Sequence, residues 1–322
     1  MKVFVTRKIP ESGITLLKKH HSVTVSKKDR VLSKDEIISQ AKDADGLLCL
    51  LTDTIDADVI SSLPKLKMIA NYAVGFNNVD VETATQKKIP VSNTPGVLTD
   101  TTAELAWALV FSVARRIVES DSFCRNSKFE GWGPMLMLGQ DVSKKTLGII
   151  GAGRIGTAMA LKSKGFDMNV LYVDQEHNQV LESELNAKKT DLSTLISESD
   201  IISLHVPLTE KTHHLIGRKE LASMKETAVL VNTSRGPVID EKALIHGLKT
   251  NQIFGAGLDV YEQEPKIPKR LKQLDNVVIL PHIGSATKET RSKMAEMAAE
   301  NMIQGLNAEK PDNCVNPELF EN

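Results

Sequence analysis

Three cysteines in 322 residues, Cys49, Cys124 and Cys314, are too few, odd in number and too widely spaced for a disulfide framework. They read as reduced thiols of the cytosol, small core residues without a shared task. No group of Cys, His and carboxylate residues has metal-ligand spacing, so no metal is expected. Long apolar runs are lacking as well. The opening stretch MKVFVTRKIPESG soon turns polar, leaving neither a signal-peptide core nor a membrane span, and a cytoplasmic location is the expectation. Charge of one sign is also absent: 40 Lys and Arg against 41 Asp and Glu give a net charge of -1, with no sustained basic block. That balance offers no footprint for nucleic acid or membrane, and a small-molecule partner is expected. There is no short-period repeat and no low-complexity tract. A hydrophobic fraction of 41% and a charged fraction of 25% are those of a soluble globular chain, and the length suits two domains.

What is present is organised around residues 146–174, TLGIIGAGRIGTAMALKSKGFDMNVLYVD. A short apolar run breaks at Gly151, Gly153 and Gly156, and a helix-compatible segment follows. This is G-x-G-x-x-G between a strand and a helix. Gly151 permits the tight turn, Gly153 lets backbone approach a pyrophosphate, and Gly156 lets helix pack closely on strand. The helix would aim its first amides and positive dipole end at the phosphates. A second apolar run ends at Asp174, where a carboxylate can accept both hydroxyls of an adenosine ribose and would repel a 2′-phosphate. NAD is therefore the expected cofactor rather than NADP.

Upstream, apolar runs at 3–5, 22–25, 46–51, 66–70 and 89–91 read as strands, separated by helical periodicity at 11–19, 34–41, 56–62 and 79–87. A parallel α/β unit over about residues 1–98 follows, without a glycine fingerprint and so suited to holding substrate. After the breaker Asn93-Thr94-Pro95-Gly96, a Thr101/Glu104 capping box would open a nearly all-apolar helix running to about Val118. Beyond Asp174 the alternation resumes, with strands at 200–204, 228–231, 255–258 and 277–280. Six parallel strands with this spacing make a doubly wound sheet. Residues 288–306 read as one last amphipathic helix.

In such a sheet ligands bind beyond the carboxyl ends of the strands, and four positions there are chemically loaded. Arg235 follows the run at 228–231, Asp259 and Glu264 follow 255–258, and His282 follows 277–280. An imidazole can move one proton near neutral pH while a carboxylate orients it. A guanidinium can grip a carboxylate with two prongs and polarise an adjacent carbonyl. Beside a nicotinamide, that is equipment for reducing a 2-oxo acid. A lone histidine after a strand is ordinarily structural; the company of Arg235 and Glu264 makes His282 a catalytic candidate. His205 also ends a strand, and the Val206-Pro207-Leu208 that follows suits a cofactor-pocket wall.

These motifs, together with residues 71–80 (NYAVGFNNVD), HVPLT from His205, NTSRG from Asn232, DVY…EP from Asp259 and PHIGSAT from Pro281, resemble the D-isomer-specific 2-hydroxyacid dehydrogenase family over nearly the whole chain. The resemblance implies an α/β fold of two Rossmann-like domains. A doubly wound NAD-binding domain (99–288) would be inserted in a flavodoxin-like substrate domain (1–98 and 289–322), with the active site in the cleft between them and hinges near Pro95-Gly96 and Lys288. It implies His282 as proton donor, Glu264 as its partner and Arg235 as the clamp on substrate carboxylate and carbonyl. The implied cofactor contacts are Thr102, Gly151, Gly153, Arg154, Ile155, Gly156, Asp174, Val206, Pro207, Thr212, Thr233, Asp259 and Gly284. Leu51, Val74, Gly75 and Trp132 would line the substrate pocket with Arg235 and His282, the Val74 and Gly75 amides holding the carboxylate. Within the family the chain is most similar to glyoxylate and hydroxypyruvate reductases. In such enzymes a tryptophan like Trp132 can reach the neighbouring subunit's site; as an interface anchor it would serve equally. A homodimer is implied. D-lactate, 3-phosphoglycerate or branched 2-oxo acid specificity, a formate or phosphite dehydrogenase, and a dinucleotide-sensing corepressor share the scaffold and remain alternatives.

Overall fold

The computed structural model describes residues 1–321, which divide into two compact units. Unit 1 comprises residues 1–98 and 285–322, of which the last is outside the described residues, and unit 2 comprises residues 99–284.

Unit 1 is built on five parallel strands, β1 (Lys2–Val5), β2 (Ser22–Val25), β3 (Gly46–Leu50), β4 (Met68–Tyr72) and β5 (Val91–Ser92), in the order β2-β1-β3-β4-β5. This is the flavodoxin-like order. The crossover helices start where short polar side chains can take the first free amides. Ser33 and Glu36 form a reciprocal capping box for the helix Lys34–Ala41, and Asp56 and Asp80 cap the helices Ala57–Ser61 and Val81–Gln86. β3 and β4 are buried on both faces, as strands covered by helices on each side must be. The last helix, Lys288–Leu306, returns to this unit and buries Met294, Ala295, Ala298 and Met302.

Unit 2 carries seven parallel strands, β6 (Thr146–Ile150), β7 (Asn169–Val173), β8 (Lys188–Lys189), β9 (Ile201–Leu204), β10 (Val229–Asn232), β11 (Gly255–Leu258) and β12 (Val277–Ile279), ordered β12-β11-β10-β9-β6-β7-β8. Counted from β6, this is the doubly wound order 3-2-1-4-5-6 with one strand added, and the order reverses between β6 and β9. The sequence pattern predicts six strands; the seventh, β8, is two lysines at the sheet edge, without the apolar pattern that marks a strand but with the charge that suits an edge.

The apolar helix also differs from expectation. It spans Thr99–Ala114, so Thr101 and Glu104 lie inside its first turns and do not form the capping box. It stops before Val118 because Arg116 takes a left-handed conformation (φ 51°) and the Gln140 amide satisfies the Ala114 carbonyl at 2.8 Å; a second helix, Ile117–Arg125, follows. Within the first helix Ala103, Ala106, Trp107, Leu109, Val110 and Val113 are buried in the unit 2 core, and the Trp107 Nε1–H donates to the Met159 carbonyl at 3.0 Å.

Candidate active site

The dinucleotide half lies where the strand order of unit 2 reverses. After β6 the chain turns at Gly151 with φ 94°, a conformation open to glycine, and a Cβ there would meet the His205 carbonyl within 2.9 Å. A Cβ at Gly156 would lie 2.0 Å from the Gly151 oxygen, so the helix Arg154–Lys162 sits against its strand at glycine distance. At Gly153, by contrast, a Cβ would meet nothing within 4 Å: this face is an open cradle. Gly153 is also the N-cap residue and supplies no side-chain cap, so the first amides of the helix, including those of Arg154 and Ile155, await an outside acceptor. Asp174, at the end of β7, folds over this turn, its carboxylate accepting the Ala152 amide at 2.7 Å and the Gln175 amide at 2.6 Å. An uncapped helix start, an open glycine and a carboxylate alongside fit a dinucleotide.

The His205 ring is enclosed, which pushes its pKa down to about 4, and its Nε2 meets Ser203 Oγ and Met159 Sδ. The ring is therefore neutral. Val206 packs on the Gly151 turn, Pro207 is exposed, and the Thr212 hydroxyl closes its own loop by donating to the Pro207 carbonyl at 2.6 Å.

The acid-base half lies at the ends of β10, β11 and β12, adjacent strands whose register pairs Asn232 with Leu258 and Leu258 with Ile279. Asn232 is buried and shapes the turn that carries Arg235: its Oδ1 takes the Ser234 amide and hydroxyl, and its Nδ2 donates to the Arg235 carbonyl. Burial lowers the Arg235 pKa, and the nearby Glu264 charge opposes that shift. His282 Nδ1–H donates to Glu264 Oε2 at 2.9 Å, with 27% and 30% of the two side-chain surfaces exposed. The hydrogen bond assigns the proton to Nδ1 and leaves Nε2 for a substrate. Burial alone would raise the Glu264 pKa; the His282 hydrogen bond and charge, the Tyr261 amide and Arg235 outweigh it and hold the carboxylate below its ordinary range. His282 itself has φ 56°, an uncommon conformation for a non-glycine residue.

That conformation is held by Asp259, which is 1% exposed and accepts the Ile283 amide at 2.7 Å and the Gly284 amide at 2.8 Å. Thr102 Oγ1 donates to the Gly284 carbonyl at 3.2 Å, fastening the same turn to the apolar helix. The Thr233 Oγ1 is buried without a partner, an orphan at the strand end that fits a bound group. Sequence reasoning missed Asn232 and the anchoring part of Asp259, and also Tyr261, whose hydroxyl donates to the Leu280 carbonyl at 2.7 Å. Polar residues at strand ends were the available signal.

In unit 1, Val74 and Gly75 form a half-buried turn after β4, and Leu51 is 37% exposed after β3. Trp132 stands 85% exposed in the loop after the second helix of unit 2, and Phe129 and Met135 of the same loop are also exposed. A cavity of about 720 Å³ lies elsewhere in unit 2, at the amino ends of β11 and β12, lined in part by Arg116, Asn251 and Asp275; it holds none of the candidate residues. Among the described residues no His, Cys, Asp and Glu group could hold a metal, and no helix is long and apolar enough to cross a membrane.

A doubly wound unit with an open glycine turn at its strand-order reversal and a histidine–carboxylate pair beyond its strand ends is the frame of a dehydrogenase that uses a nicotinamide dinucleotide, and comparison with known proteins agrees. Residues 107–284 match the model of the D-isomer specific 2-hydroxyacid dehydrogenase NAD binding domain. A glyoxylate reductase of Korarchaeum cryptofilum is 52% identical, the match covering 99% of this chain and 97% of that one. A solved protein of Thermus thermophilus superposes with TM-score 0.92 at 42% identity, covering 98% of this chain and all of that one. An NADPH-dependent glyoxylate/hydroxypyruvate reductase of Sinorhizobium meliloti, solved with NADP and malonate, has TM-score 0.87 at 27% identity over 98% and 96% of the two chains. The chain belongs to the D-isomer-specific 2-hydroxyacid dehydrogenase family.

Proposed function

We propose that the protein reduces a small 2-oxo acid, glyoxylate or hydroxypyruvate, to the 2-hydroxy acid with NADH. The observation that carries this reading is the Glu264–His282 pair with Nε2 left free, one strand away from the half-buried Arg235. The dinucleotide, when bound, supplies the hydride that reaches the carbonyl carbon. His282 gives its Nε2 proton to the carbonyl oxygen, and the Glu264 carboxylate stabilises the imidazolium before transfer and fixes the ring. Arg235 grips the substrate carboxylate and polarises the carbonyl, and the Val74 and Gly75 amides are further donors to a carboxylate. Unit 2 is thus the cofactor domain and unit 1 the substrate domain.

Asp174 supports NADH over NADPH. Its charge, followed by that of Glu176, is relieved by two backbone amides and, among the described residues, by no cation, and it opposes a 2′-phosphate. Exposed Ile117, Val118, Phe129, Trp132 and Met135 form apolar surface of the kind a homodimer buries, and Trp132 there serves as interface anchor or neighbour's pocket wall. The deciding experiment follows NADH and NADPH oxidation with glyoxylate, hydroxypyruvate, pyruvate and a bulkier 2-oxo acid, with His282→Ala alongside. Fast glyoxylate or hydroxypyruvate turnover with NADH, abolished in the variant, is the expected result. No turnover on any acid would overturn the reading.

A further inference from the structure

The turn after β4 holds three successive carbonyls, each fixed by a different donor. The Thr94 amide donates to the Ala73 carbonyl at 2.8 Å, Asn93 Nδ2 to the Val74 carbonyl at 2.7 Å, and Asn71 Nδ2 to the Gly75 carbonyl at 3.0 Å. In a planar trans peptide the N–H points opposite the carbonyl of the preceding residue. Fixing these three carbonyls therefore fixes the N–H groups of Val74, Gly75 and Phe76, and none of the three has an acceptor among the described residues. Val74 and Gly75 are half-buried and Phe76 is exposed, so the amides stand at the surface of unit 1. A row of unpaired, oriented amides is a site for an anion.

We propose that Asn93 and Asn71 are positioning residues that set this edge for the substrate carboxylate, and that the Phe76 amide is a further donor beside those of Val74 and Gly75. The inference rests on the proposed 2-oxo acid reading and deepens it. Asn93 is suited to the task because its own backbone is tied down: its N–H donates to the Asn313 carbonyl at 3.2 Å and its carbonyl accepts Asn301 Nδ2 at 3.1 Å. Asn71 is fully buried, and its side chain also meets Asn78, whose Nδ2 donates to the Leu50 carbonyl at 3.0 Å. One asparagine network thus shapes the amide edge and the turn that presents Leu51.

The test uses Asn93→Asp, a carboxylate of the same shape that cannot donate to the Val74 carbonyl, and Asn93→Ala. In both, KM for glyoxylate should rise about tenfold or more while KM for NADH stays within about twofold, since a charge-assisted contact is lost on the acid alone. An unchanged glyoxylate KM in folded Asn93→Asp would overturn the proposal. Titration of the ¹⁵N-labelled wild-type protein with oxalate, without cofactor, supplies a second readout independent of turnover and of variant folding. Shifts of the Val74, Gly75 and Phe76 amides are expected; a silent Phe76 amide removes the third donor, and silence of all three removes the edge. Should the wild type turn over no 2-oxo acid while these amides still respond to oxalate, the functional reading fails and the anion edge stands.

Discussion

His282 Nδ1 lies 2.9 Å from Glu264 Oε2, and His282 makes that contact from a left-handed backbone conformation. The two residues follow adjacent parallel strands, β11 and β12, whose register the sheet fixes. Glu264→Gln keeps the shape and removes the charge. It should lower kcat by about a hundredfold, the scale of a lost acid-base partner. Because the folded Glu264 pKa lies below its ordinary value, its stabilising contribution is full above about pH 4.5 and vanishes as pH falls through the folded value. The melting-temperature gap between wild type and Glu264→Gln should therefore be constant near neutrality and close in acid. A gap that persists unchanged at the acid end would contradict the contact assigned to the Glu264 carboxylate.

Arg235→Ala should raise KM for the 2-oxo acid and lower kcat together, because in the proposed reading the guanidinium both binds the carboxylate and polarises the carbonyl. Arg235→Lys should recover little, since an ammonium cannot reproduce the two-pronged contact. Steady-state kinetics of the two variants decide the matter, and full activity in Arg235→Ala would remove the clamp.

Replacing Asp174 with Ser removes the charge that, in the proposed reading, opposes a ribose 2′-phosphate. The ratio of kcat/KM for NADH to that for NADPH should fall by about ten- to a hundredfold, the value of one hydrogen bond to a charged group. Part of the loss with NADH will come from the glycine turn, which forfeits the contact between Ala152 and Asp174. A ratio that does not move would assign cofactor choice to other residues.

Asp259→Asn leaves an amide where two backbone N–H groups need acceptors. One of them loses its partner in a buried place, a cost of about 1–3 kcal/mol. The variant should melt roughly 5 °C lower. Its kcat should fall as well, because the turn that holds His282 loosens. Calorimetry and kinetics on the same preparation measure both effects; a variant that melts lower with kcat intact would reduce Asp259 to a structural role.

Much of the fold is legible because parallel strands in helix-covered sheets are continuous apolar runs. The ends of β2 and β11 and of the helices Lys34–Ala41 and Lys288–Leu306 coincide with the sequence pattern. Where pattern and structure part, a physical reason is at hand. The apolar run points to a strand at 66–70, whereas β4 lies at Met68–Tyr72, because Asn71 reads as a strand end and is instead a buried residue whose amide group is fully engaged. The apolar helix reads on to Val118 because nothing local announces that Gln140, far along the chain, will close it at Ala114. At the site, the strand-end rule points to Arg235, Glu264 and His282, and the sheet does hold them on adjacent ends. Asn93 and Asn232 stand in motifs the sequence displays, but their tasks are hidden there for a common reason. Their work is to hold backbone carbonyls, and which carbonyls need holding is known once the chain has turned.

Unit 2 is one continuous stretch, whereas unit 1 is assembled from both sides of it. During synthesis residues 99–284 emerge whole and can collapse on their own while the first sheet still waits for its covering helix. Met68 at the start of β4 packs against Gly305, more than two hundred residues later, and Val91 donates its amide to Asn316 Oδ1. Unit 1 therefore reaches its native packing last although its strands are made first. Until residues 288–316 arrive, the face of the first sheet that the last helix covers stays bare.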